Sequence, residues 1–125
     1  MDNFLKLMSL IRSIYHMAYA LHWASYNNFA EHLLYERVAD GLLGSLDELA
    51  EVCIIPHLKV KAGIANMLLP KEVYENVSKK DLAIAISNGI KLVEELKSAN
   101  ITSAQGNVID GIAAQLTQKY YLLMD

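Results

Sequence analysis

Apolar residues recur every three or four positions along most of the chain, the spacing that places them on one face of an α-helix. The pattern predicts four helices, over residues about 2–25, 29–53, 79–98 and 103–124. No alternation of apolar and polar residues is long enough for a buried strand. The predicted fold class is therefore all-α.

The segment of about residues 54–77, between the second and third helices, has weak periodicity and contains both prolines, Pro56 and Pro70. It is too long for a tight turn, so we expect a connector that holds one short helix near residues 57–68. Asn28 and Ser78 are suitable N-caps for the helices that follow them. The links between the first and second helices and between the third and fourth are short, and the connection between the second and third is long. This order is typical of a ferritin-like four-helix bundle, which is the fold we expect.

Composition narrows the class of protein. The 125 residues suit one domain, residues 1–125, and 54% hydrophobic with 20% charged residues excludes intrinsic disorder. The net charge is -3 without any run of Lys or Arg, so a basic surface for nucleic acid is absent. A lone cysteine and no signal segment predict a cytoplasmic protein. The longest uncharged stretch is too polar to span a membrane.

The second predicted helix carries four residues of the kinds that bind metal ions. They form two pairs, His32 with Glu36 and Asp47 with Glu51, and the two members of each pair are four residues apart. On a helical wheel all four share one quadrant, nearly opposite the apolar stripe. The same face carries three apolar residues, Ala39, Leu43 and Ala50. A face that mixes carboxylates with apolar side chains is suited to an interface between subunits.

The two pairs stand about fifteen residues apart, roughly 22 Å along a straight helix, which is beyond the reach of one metal ion. The outermost two of the four residues, at positions 32 and 51, have their midpoint at position 41.5, and so do the inner two, at positions 36 and 47. If two copies of the helix pack antiparallel about a two-fold axis, His32 and Glu36 of each copy therefore come level with Asp47 and Glu51 of the other. Gly41 and Gly44 lie near the centre and would allow close approach. A site of imidazole and carboxylate ligands suits Fe(II), Mn(II) or Zn(II).

These residues belong to a longer motif that resembles the signature of Dps-type mini-ferritins: His22-Trp23, then Phe29, His32, Glu36, Asp47 and Glu51. The resemblance implies a ferritin-like fold and a two-fold dimer, assembled into a dodecameric shell. It also implies oxidation of bound Fe(II) by peroxide or oxygen, and storage of the ferric product.

Residue by residue, the resemblance implies that His22, His32 and Glu36 of one subunit face Asp47 and Glu51 of its two-fold mate. Trp23 then corresponds to the aromatic residue that the family places beside its iron centre.

Several features depart from the family pattern. The link between His22 and His32 is shorter than usual and lacks the customary glycine, and Glu36 stands where Asp is usual. His22 lies on the apolar side of the first helix, so it is either a ligand or a hydrogen-bonded core histidine. The chain has no Lys-rich terminal tail, which argues against DNA condensation by such a tail. A different class of function also remains open, namely a ferritin-like helical oligomer that binds a partner, or serves a structural role, without redox chemistry.

Overall fold

A computed structural model describes residues 2–58 and 77–124, and every regular element within them is helical. The elements are α1 (Asp2–Ala24), α2 (Phe29–Ala39), α3 (Leu42–Leu49), a π-helical turn (Ala50–Ile54), α4 (Ile55–Leu58), α5 (Lys79–Lys97) and α6 (Ser103–Leu123). The all-α class is confirmed for this part of the chain. Most of the connector, with the short helix expected near residues 57–68, lies outside the described residues.

Side-chain caps define where three of the helices begin. The Asn28 side chain accepts a hydrogen bond from the backbone N–H three residues later, as the sequence predicts. Ser78 and Asp81 form a reciprocal capping box, and the two hydrogen bonds that Asp81 accepts from Ser78 lower the pKa of its carboxyl group. Thr102 and Gln105 form a second capping box at the start of α6. The observed starts at residues 29, 79 and 103 agree with the predicted ones; Asn28 and Ser78 are the predicted N-caps, whereas the Thr102 cap was not predicted.

The helices enclose one hydrophobic core. α1 packs against α2, α3 and α5, while α6 packs against α5, α3 and α2. The centre of the core includes Leu7, Ile14 and Ile86, which are fully buried. α5 and α6 pack tightly at Gly89, where an added Cβ would lie only 2.9 Å from Leu116 Cδ1. None of the helices in the described ranges is both long and apolar enough to span a bilayer.

The second predicted helix is not continuous, which corrects the sequence-based prediction of one helix over residues 29–53. Asp40 is extended (φ −60°, ψ 133°) and Gly41 is left-handed (φ 80°, ψ −10°), so α2 ends and α3 begins anew. An Asp-Gly pair favours such a turn. The apolar spacing continues across the break, from Val38 to Leu42, and therefore does not reveal it.

Two alanines that the sequence analysis assigned to the exposed face are buried. The helical wheel for one straight helix placed Ala39 and Ala50 on the exposed ligand face, but they are only 2% and 9% exposed and belong to the core of the chain itself. Ala39 lies in α2 next to the buried Val38, and Ala50 directly follows the buried Leu49, so both alanines lie at the edge of the buried helix face. These two alanines are therefore withdrawn from the predicted two-fold interface.

Cys53 lies in the π-helical turn and is fully buried. Burial, with a smaller contribution from the charge of Glu48, raises the pKa of its thiol to about 11. Such a thiol carries almost no thiolate at neutral pH, which agrees with its interpretation as a small hydrophobic core residue.

We predict that Gly41→Ala lowers the free energy of unfolding by about 1–2 kcal/mol, because an L-residue is strained at the left-handed φ of this position. Gly111→Ala is the matched control, since Gly111 lies within α6 and an added Cβ would meet no atom within 4 Å. That substitution should raise stability by about 0.5–1 kcal/mol. Urea denaturation measures both, and equal effects of the two substitutions would contradict the left-handed conformation of Gly41.

Candidate functional site

His22, in the last turn of α1, and His32, in the first turn of α2, face each other at the corner between the two helices. Their rings are stacked, with centroids 3.6 Å apart and planes inclined by 20°. Nδ1 of His22 lies 2.7 Å from the carbonyl oxygen of His32, and Nδ1 of His32 lies 2.7 Å from the carbonyl oxygen of His22. The two histidines therefore form a reciprocal pair, which we call the histidine pair.

This arrangement fixes the chemical form of both rings. A carbonyl oxygen can only accept a hydrogen bond, so each Nδ1 must carry a proton and donate it. In the neutral ring, Nε2 is then unprotonated and offers a lone pair. Metal-binding histidines are held in the same way, with the second ring nitrogen donating to a carbonyl or carboxylate group. The histidine pair is thus preorganised to present two Nε2 ligand atoms.

The corner itself follows from local sequence. α1 ends where the backbone N–H of Ser25 bonds to the carbonyls of Leu21 and His22, and the backbone N–H of Asn28 then bonds to the carbonyl of Ser25. Asn28 caps the start of α2, which places His32 one turn into that helix. The short link thus brings His22 and His32 together rather than separating them.

Aromatic side chains extend from the histidine pair along α1. The ring of Tyr19 packs edge-on to His22 at 5.5 Å, and its centroid lies 5.6 Å from Trp23 and 4.8 Å from Tyr15. A hydrogen bond with Tyr15 is the largest cause of a raised pKa for Tyr19, and the charge of Glu36 adds to it.

Beside Tyr19, a cavity of about 300 Å³ is lined by Tyr19, Glu36, Arg37 and Asp40. Glu36 lies one turn after His32 on α2, so this cavity adjoins the histidine pair along the same helix. Glu36, a predicted carboxylate ligand, thus lies beside an aromatic ring at this cavity.

The predicted acidic ligands do not join the histidine pair within one chain. Glu36 on α2, Asp47 on α3 and Glu51 in the π-helical turn are all exposed, as the helical wheel predicts. Among residues 2–58 and 77–124, no three or more His, Cys, Asp or Glu side chains converge on a metal-sized site. Within the described ranges, Glu36 therefore does not complete a three-ligand group with the histidine pair, and Asp47 and Glu51 lie further along the chain.

The surface near these residues is partly apolar. Leu43 is 51% exposed, and an added Cβ at Gly44 would meet nothing within 4 Å, so both are accessible to a second chain. Trp23, Tyr26 and Phe29 are 67%, 80% and 75% exposed at the α1–α2 corner. We call these three residues the aromatic corner.

Sequence reasoning assigned no role to Lys119, although it is only 6% exposed. Its ammonium group donates to the carbonyl oxygens of Arg37 (3.1 Å) and Asp40 (2.6 Å) at the end of α2. Burial lowers the pKa of Lys119, and the negative charge of Asp40 opposes that shift. Its position could have been noticed in the sequence, because it continues the four- and three-residue spacing of Ile112 and Leu116 on the buried face of α6.

Comparisons with protein-family models, with curated proteins and with solved structures find no match to this chain. Function therefore has to be inferred from the chemistry of the site, since an α-helical fold alone is compatible with many activities. The feature with the most specific chemistry is the histidine pair.

We predict that His22 and His32 are both in the Nδ1–H tautomer, because each Nδ1 faces a carbonyl oxygen at 2.7 Å. Long-range proton–nitrogen NMR correlations at neutral pH distinguish this tautomer from the Nε2–H form. His16, which is exposed on α1, provides an internal reference. The Nε2–H tautomer, which has no proton on Nδ1, would contradict the reciprocal hydrogen bonds if either ring of the histidine pair adopted it.

Proposed function

We propose that this chain is a ferritin-like protein of the Dps-type mini-ferritin kind, which binds Fe(II) between two subunits and oxidises it. The observation that carries the proposal is the histidine pair, whose Nδ1 atoms are engaged by carbonyl groups so that both Nε2 atoms are free to bind metal. The motif that resembles the mini-ferritin signature includes both histidines.

In the proposed site, His22, His32 and Glu36 of one subunit bind iron together with the partner's Asp47 and Glu51. The residues fit an iron substrate chemically, because neutral imidazoles favour Fe(II) and carboxylates favour the Fe(III) that is formed. Zn(II) and Mn(II) can occupy the same ligand set and serve as redox-stable probes. Trp23 is the neighbouring aromatic residue on α1.

The geometry of one chain supports completion of the site by a second. The histidine pair lies at the α1–α2 corner, whereas Asp47 lies on α3 and Glu51 in the π-helical turn, so the proposal has these two carboxylates meet the histidine pair of a second chain. The common midpoint of the two residue pairs falls within about one residue of the break at Gly41, and Gly44 beside it is open. A two-fold axis near this break would place Leu43 and Gly44 in the interface.

The proposed reaction balances with peroxide as oxidant. Two Fe(II) ions each give up one electron, the O–O bond of one peroxide breaks, and two protons are taken up as two water molecules form. The carboxylates offset the additional positive charge on the product, which remains bound for transfer to a mineral inside a dodecameric shell. Ferroxidase activity, shell and mineral are all part of the proposal.

A second candidate function is a helical oligomer, or a module that binds a partner, without redox chemistry. The aromatic corner favours it, because three large rings at 67–80% exposure are more than a monomeric surface usually presents together. In that case the histidine pair stabilises the α1–α2 corner, and its Nε2 atoms bind no metal.

We predict that metal binding is lost in two separate variants, His32→Ala and the double variant Asp47→Ala/Glu51→Ala, and is partly restored when the two proteins are mixed and allowed to exchange subunits. A mixed dimer has one intact site, made of the histidine from one chain and the carboxylates from the other. An equimolar mixture should regain about a quarter of the wild-type Zn(II) sites. Isothermal titration calorimetry with Zn(II) measures the number of sites.

The control for this experiment is Glu31→Ala/Glu48→Ala, which removes two exposed carboxylates of α2 and α3 that lie outside the paired positions. It should bind Zn(II) as the wild type does. No recovery on mixing, with binding intact in the wild type, would argue against a site shared between subunits.

We further predict that the protein accelerates peroxide-driven Fe(II) oxidation, and that His22→Ala and His32→Ala each slow it at least about tenfold. His16→Ala serves as the control, since His16 is exposed and is not part of the histidine pair. Stopped-flow absorbance of ferric species records the rate. A wild-type rate equal to that of buffer would favour the helical oligomer without redox chemistry, and an effect of His32→Ala alone would leave His22 a structural role.

A further inference from the structure

The junction between α2 and α3 is held from one side by a single helix, α6. Lys119 donates to the carbonyl oxygens of Arg37 and Asp40, which lie at the end of α2. One turn earlier on α6, the side-chain amide of Gln115 donates to Ser45 Oγ in the first turn of α3. Two side chains of one helix therefore bind both sides of the same break.

The bonds of Lys119 meet a specific need of the backbone. The last carbonyls of a helix lack an N–H partner within it, and they carry the negative end of the helix dipole. The last intrahelical bond of α2 runs from the N–H of Asp40 to the carbonyl of Glu36. Arg37 and Asp40 provide the first and last of the carbonyls that follow, and a buried ammonium group bonds to both. Lys119 thus caps the C-terminal end of α2.

Gln115 acts on the other side of the break. An added Cβ at Gly41 would lie 3.4 Å from Gln115 Oε1, so this amide packs directly against the left-handed glycine. The Gln115–Ser45 bond ties the first turn of α3 to α6. Lys119 and Gln115 thus bond α6 to both helices across the break, in addition to the two-residue link and the packing of α1 against both helices.

We infer that Lys119 is a positioning residue, which holds α2 and α3 at the angle that lets the histidine pair of one subunit meet Asp47 and Glu51 of another. The inference rests on the proposed function for its metal-binding consequence. Its structural part, the control of the α2–α3 angle, stands on the described hydrogen bonds alone. Lys119 bonds to backbone carbonyls, so it acts through the end of α2.

The test compares Lys119→Met, which removes the donors but keeps a long apolar chain, with Lys119→Arg, which keeps them. Spin labels on cysteines at the exposed positions Glu31 and Glu48 report the α2–α3 distance, with labelled protein diluted in unlabelled protein so that each dimer carries one labelled chain. A second pair, at exposed Lys91 and Thr117, reports the α5–α6 distance as a control. Buried Cys53 is retained.

We expect Lys119→Met to shift or broaden the 31–48 distance, to leave the 91–117 distance unchanged, and to weaken Zn²⁺ binding about tenfold or more. Lys119→Arg should restore both. An unchanged 31–48 distance, equal broadening of the control pair, or an altered distance with unaltered Zn²⁺ affinity would each overturn the positioning role.

Two further outcomes are distinguishable. If wild-type protein binds no Zn²⁺, the proposed function fails, and the 31–48 distance still decides whether Lys119 sets the angle. If Lys119→Met does not fold, Gln115→Met replaces it. That variant removes only the bond to Ser45, should alter the same distance and Zn²⁺ affinity, and is judged by the same outcomes.

Discussion

The arrangement of α2, α3 and α6 depends on the need to satisfy the backbone carbonyls left free where α2 stops. In a continuous helix these groups would accept from the next turn, but the extended Asp40 and left-handed Gly41 remove that turn. The missing donors come from the side chain of Lys119, which must lose much of its hydration to supply them. α6 is therefore bound to the junction by polar contacts as well as by its apolar face.

A related solution appears at the α1–α2 corner. The carbonyl of His22 lies in the last turn of α1, and the imidazole of His32 donates to it from the following helix. The reverse bond, from His22 to the carbonyl of His32, holds the second ring parallel to the first. The same contacts that close the corner also leave Nε2 free, so a structural role and a metal-binding role for these histidines are compatible.

Features that depend on local chemistry could be predicted from the sequence, whereas features that depend on long-range contacts could not. Ser78 marks the start of its helix because its bonds form within one turn. The break at Gly41 was hidden because apolar spacing continues through it, although the Asp-Gly pair was a signal. Nothing local predicts that Lys119 reaches Asp40, which is distant along the chain.

The same distinction between local chemistry and long-range contacts applies to the candidate site. The exposure of Glu36, Asp47 and Glu51 follows from helical periodicity. The burial of Ala39 and Ala50 does not, because these small residues lie at the edge of the buried face, where packing against the other helices decides their exposure.

The π-helical turn at Ala50–Ile54 has a consequence for how this region tolerates changes in length. Because π-helical bonds span five residues rather than four, this turn contains one residue more than an α-helical turn between the same neighbours. It lets the consecutive residues Cys53 and Ile54 both face the core. A chain lacking one residue here could join α3 to α4 as ordinary α-helix without changing the direction of either. The orientation of Glu51 is therefore set by the length of this turn, independently of Asp47, and a single deletion would rotate one carboxylate relative to the other while leaving the bundle intact.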